Sequence, residues 1–125
     1  MGMYTEIYIN VDLKKDIEED VINTLKAMCK LKHNSLYLAD KPTRWSYMFN
    51  SGSFCTPNTS CANLTYDDIS KQYSLLGKGD IKNYESEIEE FFEWIKPHIE
   101  VDYTDKTFIG YLRYEENPEP TLIYK

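Results

Sequence analysis

The chain has 125 residues and a formal net charge of −7, from 14 Lys and Arg against 21 Asp and Glu. That length fits one domain, residues 1–125, with a core large enough to stand without a disulfide or a metal. An odd count of three cysteines argues against a disulfide framework, and no apolar run approaches the ~20 residues that cross a bilayer. A cytoplasmic protein with no membrane partner is expected.

The charge is unevenly distributed. Residues 1–62 balance, and residues 63–125 carry the whole excess of acid. An acidic surface repels nucleic acid and attracts basic partners. Eleven tyrosines are unusual for this length. They suit strands, half-exposed sheet faces and interfaces.

Residues 4–13 alternate, with Ile7, Ile9, Val11 and Leu13 on one side and Glu6, Tyr8, Asn10 and Asp12 on the other, which predicts a half-buried strand. A helix follows, with Asp16 as N-cap, Glu19 three residues later, and Ile17, Val21, Ile22, Leu25, Met28 and Cys29 on one face. Residues 33–43 read as a loop. Residues 44–50 read as an aromatic strand carrying Trp45, Tyr47 and Phe49 on one face, and 51–60 as a long turn. Short strands are expected at 61–67 and 71–77 around a turn at 68–70, the second ended by Gly77-Lys78-Gly79-Asp80. A second helix over 83–97 has Tyr84, Ile88, Phe91, Phe92, Ile95 and Ile99 as its apolar stripe. Its five glutamates (85, 87, 89, 90 and 93) fall on the remaining arc, with Trp94 at the margin. Strands at 107–115 and 120–125 close the chain.

The expected order is β-α-β-β-β-α-β-β. Two helices with one apolar face each need a sheet to cover. The predicted fold is α+β: a two-layer sandwich, an antiparallel sheet with two helices on one face, ferredoxin-like with extra strands.

Four segments carry a resemblance: Tyr66-Asp67-Asp68-Ile69-Ser70-Lys71, Asp80-Ile81-Lys82-Asn83-Tyr84, Trp94-Ile95-Lys96-Pro97, and Gly110-Tyr111-Leu112-Arg113-Tyr114-Glu115-Glu116 followed by Pro120-Thr121-Leu122-Ile123-Tyr124. Together with the opening strand they resemble a family of small, uncharacterised bacteriophage and prophage proteins. The resemblance implies a phage accessory role in the host cytoplasm and names no activity.

The chemistry of the chain points away from catalysis. Cys55 and Cys61 are too widely spaced for a structural zinc pair, and Cys29, His33 and His98 complete no ligand pattern. No nucleophile motif or phosphate-binding glycine loop is present. Asp67-Asp68 fits turn chemistry better than paired acid–base work. No cofactor or metal is therefore expected, and no enzyme activity. The expected function is inhibition of a basic host protein that handles nucleic acid or defence, through the acidic helix face of Glu87, Glu90, Glu93 and Trp94. Direct nucleic-acid binding is disfavoured by the charge. A first alternative is a sponge for a small ligand or nucleotide, using Arg44, Trp45, Tyr8, Tyr111 and Arg113. A second is an interaction domain that self-associates as a homodimer.

Overall fold

The structure is a computed structural model, and it describes residues 4–29, 35–49, 60–101 and 106–125. The predicted turn at 51–60 lies almost wholly outside them, as do His33 and Cys55. The strands are β1 (Thr5–Asp12), β2 (Cys61–Asp67), β3 (Gln72–Ile81), β4 (Phe108–Tyr114) and β5 (Thr121–Tyr124); the helices are α1 (Glu19–Met28) and α2 (Glu87–Ile95). The fold is α+β, an open sheet of order β2-β3-β1-β4-β5 with every neighbouring pair antiparallel.

β1 is the central strand. Ile7 and Ile9 are fully buried and Val11 nearly so, whereas Asn10 and Asp12 are exposed, as the alternation predicts. Val21, Ile22, Leu25 and Met28 of α1 and Ile88, Phe91, Phe92 and Ile95 of α2 join them in one apolar cluster.

The predicted strand at 44–50 is a correction. Thr43–Tyr47 is a short 3-10 helix that follows Pro42. The buried residues are Trp45, Met48 and Phe49, a spacing of three and four, and Tyr47 points outward. Bulky aromatics hid a helical period inside an apparent alternation.

Three boundaries also move. α1 begins at Glu19 behind an extended Glu18, and Asp16 does not cap it. The Ile17 N–H donates to the Lys14 carbonyl at 3.2 Å, so a turn occupies the expected first helical residues. α2 cannot extend back to residue 83, because Ser86 is left-handed at φ 60°. Asn83 caps from a distance instead: its Oδ1 accepts from the Ile88 N–H at 2.8 Å and its Nδ2 donates to Glu89 at 2.6 Å. Tyr84 consequently leaves the apolar stripe and is exposed.

β3 runs through Gly77 and Gly79 rather than ending there. Both face the 43–49 segment. A Cβ on Gly77 would sit 2.7 Å from the Phe49 ring, and one on Gly79 would overlap the Met48 carbonyl. These glycines let the backbone of the aromatic segment lie directly on the sheet. Between Phe108 and Gly110 a β-bulge turns Ile109 into the core and Phe108 outward.

Gly79→Ala is expected to lower stability by about 1–3 kcal/mol in urea unfolding. Ile69→Ser, at a residue 94% exposed in the β2–β3 turn, is expected to leave the midpoint unchanged.

Candidate functional site

The two sites expected from sequence meet in one ion pair. Arg44 Nη1 donates to Glu87 Oε2 at 2.7 Å. Glu87 is only 3% exposed, so it is absent from the acidic surface and Arg44 is engaged before any ligand arrives. The second Glu87 oxygen accepts from the Glu85 N–H at 2.7 Å, and its main-chain carbonyl accepts from Trp45 Nε1 at 3.1 Å. Burial alone would raise this carboxyl, but Arg44 and the backbone N–H groups outweigh it and hold the group below its ordinary 4.5.

Glu89, Glu90 and Glu93 remain exposed along α2. Glu93 accepts from Lys96 at 3.0 Å. Trp94 is half-buried, with its ring centroid 5.3 Å from that of Trp45 and the Lys41 ammonium 5.5 Å from its own. The acidic face is thus shorter than the sequence implies, and cations border its aromatic anchor.

The alternative ligand set also divides. Tyr8 and Tyr111 stack at 5.3 Å on the sheet face opposite Ile7 and Ile9, whereas Trp45 belongs to the core cluster. Beside the tyrosines, Glu6 lies 3.6 Å from Arg113 and 3.7 Å from Lys78, a cross-strand trio. The Tyr111 hydroxyl is pushed above its ordinary value by burial first and then by Glu6. Arg113 and Arg44 each have an acid partner of their own, Glu6 and Glu87.

Asp67 serves its own turn, accepting from the Ile69 N–H and the Ser70 hydroxyl at 3.0 Å each. Cys29 is buried at the end of α1, and burial, then Cys61, pushes its thiol up to about 11. Among the described residues no group of three His, Cys, Asp or Glu could hold a metal. Among the described residues no helix is long and apolar enough to cross a membrane.

A different site emerges between α1 and the β2–β3 hairpin. A cleft of about 270 Å³ is lined by Lys14 and Lys15 from the β1–α1 turn, Lys26 from α1 and Lys71 from the hairpin turn. The one carboxylate in its lining is Glu19. None of the four lysines lies within 4.0 Å of a carboxylate among the described residues. Tyr66 and Tyr73 form the hairpin wall, centroids 4.8 Å apart, with the Lys26 ammonium 5.9 Å from the Tyr73 ring. Outside the cleft, Lys125 is held below the ordinary lysine range by burial first and then by Lys14, with Glu100 opposing the shift. Sequence reasoning missed this site. The Lys14-Lys15 doublet was its one local signal, and Asp16, Glu18, Glu19 and Asp20 directly behind it mask that signal.

Arg44→Met, which leaves the Glu87 carboxylate buried and unpaired, is expected to cost about 3 kcal/mol in chemical denaturation at neutral pH. The pH dependence gives an independent sign. Because the folded pKa of Glu87 is depressed, its contribution is complete above about 4.5 and is lost as pH falls through the folded value. In Arg44→Met burial raises that pKa, so the deficit relative to the parent should shrink on acidification. A deficit that stays constant or widens below pH 4.5 would contradict this assignment. Comparisons with protein-family models, with curated proteins and with solved structures find no match, so the site rests on its own geometry.

Proposed function

We propose that this chain is a non-enzymatic binding protein that holds a small phosphate-bearing anion in the cleft between α1 and the β2–β3 hairpin. The observation that carries this reading is the convergence of Lys14, Lys15, Lys26 and Lys71, none of them ion-paired among the described residues, in a protein of net charge −7. Four like charges gathered around one carboxylate repel one another, and a bound anion lowers that repulsion. Lys71 adds a second indication. Its backbone is left-handed at φ 61°, a conformation that glycine adopts without cost. Lysine in that conformation costs backbone stability that glycine would not. The cleft offers cations, ring faces and one carboxylate, which suits retention of a ligand rather than its conversion.

The element order and the sheet order support a ferredoxin-like reading, with β5 appended beside β4 and both helices forming the second layer. In that reading the cleft sits at the end of the helical layer, where α1 meets the hairpin. A phage-encoded protein of this kind would act by sequestering a ligand in the host cytoplasm. A second reading keeps the acidic surface of α2 as a site for a basic host protein, narrowed to the exposed Glu89, Glu90 and Glu93 beside Trp94.

Pyrophosphate at low ionic strength is expected to raise the melting temperature, and added salt to diminish the rise. Lys71→Gly should unfold at the same or higher denaturant concentration while binding pyrophosphate about twofold to fivefold more weakly. Glu19→Gln should bind it more tightly. No thermal shift at millimolar pyrophosphate, or an unaltered affinity in Lys71→Gly, would refute the proposal.

A further inference from the structure

We infer that the ligand of this cleft is a single nucleoside mono- or diphosphate, with its base on the Tyr66 ring and its phosphates among the lysines. This rests on the anion-binding reading above and adds to it the recognition of a flat ring. The lining of the cleft is mixed: Asn23 and the charged side chains share it with apolar groups. Ile17 and Ile22 line it on the helix side, and the rings of Tyr66 and Tyr73 line it on the hairpin side. A site for a bare inorganic anion would surround it with hydrogen-bond donors alone; apolar side chains and rings set among cations fit a ligand with a flat body and a charged end. The two tyrosines are held differently. Tyr73 packs against the core cluster and has Lys26 over its ring, so it serves as a fixed support. Tyr66 leans on Tyr73 at an interplanar angle of 58° and keeps 48% of its surface open, so one ring face is available for stacking.

Size and charge narrow the class. A volume of about 270 Å³ lies just under the ~300–1,000 Å³ of pockets that engulf drug-sized molecules. One nucleotide, left partly open to solvent, fits that space, and a dinucleotide does not. Four lysines against Glu19 leave three net positive charges, which match the charge of a nucleoside diphosphate. A longer nucleic acid would extend over the neighbouring acids Asp67 and Asp68, both exposed, and be repelled there.

Calorimetric titration of the full chain with ADP, pyrophosphate and adenosine tests this inference. ADP is expected to bind about tenfold more tightly than pyrophosphate, the increment of one stacked base. Tyr66→Leu should erase that difference and leave pyrophosphate affinity unchanged, and Tyr66→Phe should retain it. Equal affinity for ADP and pyrophosphate would overturn ring recognition while leaving the anion site standing. Adenosine binding as tightly as ADP would overturn the role of the lysines, and no binding of either anion would overturn both readings.

Discussion

The Glu87 carboxylate is the joint on which the helical side of this molecule is assembled. It lies at the first turn of α2, where the backbone has just come out of a left-handed Ser86. It draws in Arg44 from a segment 43 residues earlier, and its own carbonyl receives the Trp45 indole. Two side chains of one short 3-10 turn are thereby bonded to one residue of a helix. The turn then places Met48 and Phe49 on the glycines of β3, and Phe91 packs edge-on against both Trp45 and Phe49. Removing the carboxylate or the guanidinium would leave the other charge without its partner next to aromatic rings, so the pair specifies where the segment docks.

Local periodicity carried most of the fold. The alternation of β1, the apolar stripe of α1, the hairpin of β2 and β3, and the last two strands are all legible, because each element turns apolar residues toward the same core, β5 through Ile123 alone. Residues 43–49 were not. Trp, Tyr and Phe favour strands in general, and only contact with Gly77 and Gly79 reveals that the chain coils there. Glu87 was misplaced for a related reason. A helical projection assigns a residue to an arc but cannot know that an arginine from another element will cover that arc. The lysine cleft is harder still to read, since its four cations come from three places in the chain and become neighbours only after α1 lies across the hairpin.

Charge acts on two length scales in this protein. Over the whole molecule the chain is an anion of net charge −7, whose field salt screens beyond the Debye length. Within the cleft the local sign is reversed, and a small ligand feels the nearby lysines more than the distant carboxylates. If the cleft holds an anion as proposed, a surface of this kind would favour small anions over large ones without any steric gate, because the large ones would meet the acidic surroundings first.

The position of β1 in the middle of the sheet has a consequence for synthesis. Its two neighbours are β3 and β4, encoded some 70 and 105 residues later, and the contact between the Tyr4 N–H and Glu115 spans 111 positions. A chain emerging from the ribosome therefore carries its central strand with both edges open until β3 appears, and with one edge open until β4 follows. During that interval the nascent chain is the form most exposed to chaperones, proteases and its own copies. The acids around α2 emerge between β3 and β4, so the growing chain acquires most of its negative charge while one edge of β1 is still unpaired, and like charge of this kind opposes edge-to-edge contact between copies.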